Sequence, residues 1–314
     1  MRDLYMILSP RSLPYARVAL QSLCQNAIDA FHLRLITDSP ADKTELTAAM
    51  SVIDNAHAHR WEILDEQDLS AREEAMFGTY PHIQAFRHGH PCWRKITDPL
   101  LLSQPGEEMV VLDPDVWFPN RFNFEPTPAN GILLMWQQPN CLLPPETVHA
   151  AMSQQILLAN HVDIGVAHWR APVDLDWLNW LLGGLGGAAL PRMMHVEAIV
   201  WSALIMRFGG AHLNPTAWRC WRYSQTKRVM CKLGASGTRI LAPEPWSQMK
   251  CFHAGGEAKW WLADATERAA SQPPREHSQP TETVAVEELE PSQYARELAR
   301  KAWVRKLGYY RFVR

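Results

Sequence analysis

Between Tyr5 and Phe118 short apolar runs alternate with stretches of helical periodicity, and this alternation limits the possible architectures more than any other feature of the chain. Residues 5–8 read as a strand, after which Ser12 can cap a helix whose apolar positions Ala16, Leu20, Leu23, Ala27 and Phe31 recur at helical spacing. Residues 33–37 suit a second strand closed by Asp38, Ser39 and Pro40, and residues 42–50 a polar helix. Residues 61–64 suit a third strand, 94–103 a helix and 109–118 a further strand. Such repetition predicts an α/β fold with a mostly parallel, doubly wound sheet flanked by helices. Sheets of this kind bind nucleotides at the carboxyl ends of their strands.

The last of these strands, MVVLDPDVWF, carries Asp113 and Asp115 one residue apart. Alternation along a strand would project both carboxylates the same way, where they suit a hard divalent cation that could in turn hold a diphosphate. A solvated strand end would also explain them. The pattern recurs at Asp174 and Asp176, after a proline and before an apolar helical segment, where aspartates serve as N-cap and first-turn residues. Only the first pair has a β-rich approach and a proline that stops strand pairing between the acids.

A chain of 314 residues can bury a substantial core, and a net charge of -2 gives no general attraction to nucleic acid. Six scattered cysteines without a CxxC argue against a zinc knuckle or a disulfide framework and suit reduced thiols in the cytoplasm. The amino terminus lacks the apolar run of a secretory signal, and the uncharged stretch between Asp176 and Arg192 is too short and too glycine-rich to cross a bilayer. Most of the 14 tryptophans lie in the second half, where an aromatic core is the plain explanation and stacking on sugar faces the functional one. Residues 271–292 are rich in Pro, Glu, Ser, Gln and Thr, which predicts a flexible linker. Beyond it Ser292 can cap a final helix, and from Gln293 onward seven basic residues face one acid, Glu297. The expected organisation is a catalytic domain over 1–265, a linker over 266–291 and a basic amphipathic helix over 292–314. With Tyr294, Leu298, Trp303, Tyr309 and Tyr310 among its charges, that helix has the makeup of a peripheral anchor on an anionic membrane face, or of a helix docked on the domain.

The companion to the DPD strand is CFHAGGEAKWW, residues 251–261. Its His253 can complete a Mn²⁺ site, glycines such as Gly256 let backbone amides approach a phosphate, and Lys259 adds charge for a diphosphate. The spacing resembles the HxxGxxKPW element of glycosyltransferase family 8, the glycogenin and lipopolysaccharide galactosyltransferase group with the GT-A fold, with Trp260 in place of proline. Other segments follow in the same order. Lys95 in CWRKITDPLL stands near the family's donor-contacting lysine, and DPD resembles its DAD. HVDIGVAHW resembles its FNxGV segment, with Asp163 for asparagine and Gly165 matching the glycine. HVEAIVWSALI resembles the segment with its DQ pair, Glu197 matching the acid and Ala198 replacing glutamine. The resemblance spans residues 3–262.

The resemblance implies a GT-A glycosyltransferase that uses Mn²⁺ (or Mg²⁺) and a nucleotide-diphosphate sugar, foremost a UDP-sugar, on a glycan or lipid-linked acceptor. It implies metal ligation by Asp113, Asp115 and His253 and donor contacts from Lys95, Asp113, Gly165, Gly256 and Lys259. Asp163 and Glu197 would position the sugar or the acceptor, and retention of configuration is favoured. Structural roles compete for both acids, since Glu197 also opens an apolar helix and Asp163 can end a strand. His88 and His90 read as exposed imidazoles of a turn. The rival readings are a nucleotidyltransferase, disfavoured because SPRSLPYA lacks a glycine-rich phosphate loop, and a noncatalytic tryptophan-rich sugar-binding protein.

Overall fold

The computed structural model describes residues 1–54, 59–222, 224–269 and 275–308. Thirteen strands are found among them: β1 Arg2–Ile7, β2 Phe31–Ile36, β3 Arg60–Leu64, β4 Met109–Leu112, β5 Val116–Trp117, β6 Arg121–Phe122, β7 Ile132–Trp136, β8 Val162–Trp169, β9 Gly210–His212, β10 Trp218–Cys220, β11 Cys251–His253, β12 Glu276–His277 and β13 Val284–Ala285. The main sheet runs β3-β2-β1-β4-β8-β7-β10-β11-β5, with β9 beside β7 and β13 beside β9. Its pairs are parallel except where β8 inserts between β4 and β7, where β5 meets β11 and where β13 meets β9. The sheet is therefore mixed but mostly parallel.

Local sequence explains the first half. The helices Leu13–Asn26, Pro40–Ile53 and Arg94–Leu102 lie close to the expected places, but the first stops at Asn26, so that Phe31 opens β2 instead of extending the helix. Two helices that the sequence reading does not predict, Glu66–Phe77 and Pro81–Arg87, fill the interval before Arg94. Strands buried on both faces alternate between two cores: Leu4, Met6, Val110 and Leu112 enter one, Tyr5, Met109 and Val111 the other. Ser39 accepts from the Asp42 amide, and Asp174 accepts from the amides of Asp176 and Trp177, so the second DxD is a helix cap. Ser12 differs from expectation: it precedes its helix, but its hydroxyl accepts from Tyr15 rather than from a backbone amide. Among the described residues no helix is long and apolar enough to cross a membrane.

The segment expected as a flexible linker is built into the fold. Its first residues belong to the helix Leu262–Ala269, and 270–274 lie outside the described residues. From there β12 pairs with β6, β13 covers the edge of β9, and Leu289 is buried. A buried ion pair, Lys250 with Glu125 at 2.9 Å, fastens this strap: Lys250 donates to the Gln279 carbonyl, and Glu125 accepts from the Thr281 amide and hydroxyl. Polar composition rules out a core of its own, but its backbone completes an open sheet edge and satisfies a buried charge.

The last helix spans Pro291–Lys306 with Glu290, not Ser292, at its N-cap. It docks by one face, with Tyr294 buried and donating to the Leu142 carbonyl, and Leu298 packed on the core. Arg296, Arg300, Arg305, Lys306, Trp303 and Leu307 are exposed. Tyr309, Tyr310, Arg311 and Arg314 lie outside the described residues.

Candidate functional site

The two DPD carboxylates converge because the chain breaks, not because a straight strand alternates. β4 ends at Leu112, where the Asp113 amide donates to Gly165 of β8. Past Pro114 the Asp115 carbonyl accepts from the Ala254 amide, and Val116 pairs antiparallel with His253. The turn is thus clamped between β8 and β11. His253 Nε2 lies 3.3 Å from Asp115 and 3.6 Å from Asp113, and one ligand atom from each of these three residues lies within 4.8 Å of the others.

The other ring nitrogen is fixed as well. His253 Nδ1 meets Asp163 at 2.7 Å, and the same Asp163 oxygen accepts from the Gly165 amide. A carboxylate on Nδ1 selects the tautomer whose Nε2 lone pair faces Asp113 and Asp115. Burial alone would lower the imidazole pKa, but Asp163 and Asp115 outweigh it and raise it well above the ordinary value. Burial likewise acts to raise the pKa of Asp115, and His253 overrides it, bringing that group down to about 2. Two carboxylates and one imidazole form an N/O donor set that fits Mn²⁺ or Mg²⁺, with metal binding expelling the imidazole's extra proton.

Several of the expected site residues have partners within the protein. Asp163 is directed at His253, 90 residues away, with one carboxylate oxygen on the imidazole. Gly165 serves as the seat of the imidazole, since a Cβ there would come within 2.5 Å of the ring. Lys95 is buried and its ammonium is committed to Asp113 at 2.6 Å and Glu197 at 2.9 Å, so it orients the acids rather than reaching outward. Glu197 is buried too and accepts from Trp201 Nε1. Burial raises its pKa to about 8 against the opposing pull of Lys95. Lys259 stands 3.7 Å from Asp115 with its ammonium 4.8 Å from the centre of the Tyr15 ring. Gly256 has φ +68 and open space above it, a backbone that favours glycine.

Sequence reasoning missed the supports. Arg94 and Arg87 both bind Asp98, and Arg94 reaches Asp38, which anchors the helix that presents Lys95. The signal was available as Arg94 and Asp98 at i,i+4 on an otherwise apolar helix face. Cys220, which gave no sequence signal, stands with Asp163 on the Nδ1 side of His253. Trp93, Trp169, Trp201 and Trp218 are core residues, whereas Trp260 is 57% exposed and packs edge-on against Tyr15 beside Lys259. His88 pairs with Glu73 and His90 accepts from the Cys92 amide, and neither joins a metal-ligand group among the described residues.

No family model matches the chain, and no curated protein sequence does. Solved structures do match. Mouse xyloside xylosyltransferase 1 in its apo form superposes with a TM-score of 0.51 at 12% identity, covering 82% of this chain and 98% of that one. The galactosyltransferase LgtC in complex with donor and acceptor sugar analogues gives 0.47 at 12% identity over 86% and 94% of the two chains. The glycosyltransferase GlyE of Streptococcus pneumoniae TIGR4 gives 0.45 at 10% identity over 87% and 60%. At these identities the likeness is one of fold, and the chain has the GT-A fold of glycosyltransferases.

Proposed function

We propose that the protein is a metal-dependent glycosyltransferase that moves a sugar from a nucleotide-diphosphate sugar, foremost a UDP-sugar, to a glycan or lipid-linked acceptor. The observation that carries the reading is the convergence of Asp113, Asp115 and His253 at the carboxyl edge of a GT-A sheet with Lys259 beside them. A Mn²⁺ or Mg²⁺ ion held by these three residues would supply charge neutralisation for a departing diphosphate. Lys259 adds a second positive charge on the same side, and Gly256 leaves room for phosphate oxygens. Lys95 holds Asp113 from behind, and Glu197 faces Lys95 from the helix Val196–Phe208. Six unbridged cysteines support a reducing, cytoplasmic setting. The exposed basic face of the last helix, with Trp303 and Leu307, supports contact with an anionic membrane surface.

A thermal-shift panel of UDP, GDP and their common sugar conjugates, each with and without Mn²⁺, tests the reading. Stabilisation by one nucleotide family that requires the ion is the expected result, followed by slow ion-dependent hydrolysis of the matching nucleotide sugar. Stabilisation by free sugars alone, with no nucleotide response, would favour the noncatalytic binding protein instead.

A further inference from the structure

Two loops meet beside Lys95 and Glu197 and bring two imidazoles together with a guanidinium. The guanidinium of Arg192 donates to the carbonyls of His88 and Gly89 at 2.9 and 2.8 Å, and Trp93 Nε1 donates to the Met193 carbonyl at 3.0 Å. These bonds staple residues 88–93 to residues 192–195. His90 accepts from the Cys92 amide through Nδ1, which leaves the proton on Nε2 as a donor. His195 precedes the helix Val196–Phe208 without capping it through its side chain, and the amides of Val196 and Glu197 are spent on Met193 and Met194 carbonyls. Among the described residues no carboxylate pairs with His90, Arg192 or His195.

The electrostatics agree. Burial lowers the pKa of His90, and Lys95, Arg192 and His195 push it the same way; burial lowers that of His195, and Lys301 adds to the effect. Cys92, in the same loop, is close enough to Lys95, Glu197, Asp113 and Asp115 to respond to all four charges. The cluster therefore lies close to Lys95 and Glu197.

We propose that His90, Arg192 and His195 form an anion subsite for a phosphate group carried by the acceptor. The inference rests on the glycosyltransferase reading and names the acceptor class. Two imidazole N–H groups and a guanidinium are donors suited to a phosphate, and the Glu197 carboxylate beside them is turned to Lys95. A phosphate bound here would hold the rest of the acceptor against the donor sugar.

The test is a titration of the full chain with inorganic phosphate, at constant ionic strength and without divalent metal, followed by the NMR signals of labelled histidine rings. The His90 and His195 signals should move together and saturate in the millimolar range, and Arg192→Gln should weaken the response roughly tenfold, the worth of one charge-assisted contact. His195→Gln supplies a second variant. The same titration in saturating UDP and Mg²⁺ should give the same curve. Displacement by UDP would assign the cluster to the donor, and an unsaturable or Arg192-independent response would mean general charge screening; either overturns the proposal. Galactose 1-phosphate and vesicles containing phosphatidic acid then separate the sources: saturation by the first indicates a phosphorylated glycan, and Arg192-dependent vesicle binding a lipid headgroup. No nucleotide sugar or turnover enters the readout, so this test can fail while the donor panel succeeds.

Discussion

His253 is held through both ring nitrogens: Asp163 meets Nδ1 and orients the ring, while Asp113 and Asp115 lie on the Nε2 side, where the proposed cation would bind. Asp115→Ala should abolish Mn²⁺-dependent UDP-sugar binding with the circular dichroism spectrum unchanged, because an acid in a turn supports little of the core. Gly165→Ala is the sharper experiment, since it removes no ligand. Its methyl would displace the imidazole, and Mn²⁺ affinity measured by calorimetry should fall roughly 10- to 100-fold, as for the loss of a ligand's support. If affinity holds, the ring is not seated as described. Lys259→Ala should weaken UDP far more than uridine, because only the diphosphate meets the ammonium; an equal loss for both would count against that role.

Among the elements, the strap after residue 274 and the last helix carry separate consequences. Lys250 and Glu125 are each about 1% exposed, so Lys250→Ala strands a buried carboxylate and should cost about 3–5 kcal/mol. Protease sites between residues 275 and 290 should open at the same time, because Lys250 holds the Gln279 carbonyl. A lowered melting temperature without faster cleavage there would show that the strap is held by other contacts. The exposed face of the last helix should drive salt-sensitive binding to anionic vesicles but not to neutral ones. Truncation after Ser292 removes Tyr294 as well as the basic face, so the more selective variant is a double change of Arg296 and Arg300 to Glu. Unchanged flotation of that variant would rule out the anchor.

For the molecule as a whole, His168 links folding to pH. It is fully buried in β8, and burial, helped by Arg2, lowers its pKa to about 3 from 6.5. The folded state therefore keeps the ring neutral while the unfolded chain takes up a proton, so stability is complete above the unfolded pKa and declines as pH falls toward the folded one. Melting temperatures recorded from about pH 7 to about pH 4 should fall more steeply for the native chain than for His168→Gln. Parallel slopes would place the acid sensitivity elsewhere.

The sequence by itself determined the order of β1 to β4 and of the helices Leu13–Asn26, Pro40–Ile53 and Arg94–Leu102, though not Glu66–Phe77 and Pro81–Arg87, because periodicity, caps and prolines act over a few residues and leave a local record. It also marked DPD and HxxGxxK, since each is a contiguous run whose residue types suit ions and phosphates. Tertiary structure alone decided what those residues touch. Asp163 reaches His253 only because β8 runs antiparallel between β4 and β7 and brings Gly165 under the ring. Lys95 is turned inward by acids from two distant elements, 18 and 102 residues along the chain at Asp113 and Glu197. The polar segment read as a linker became a strap because an unpaired sheet edge and a buried Lys250 needed its backbone groups, a demand set by other parts of the chain and invisible in its own composition.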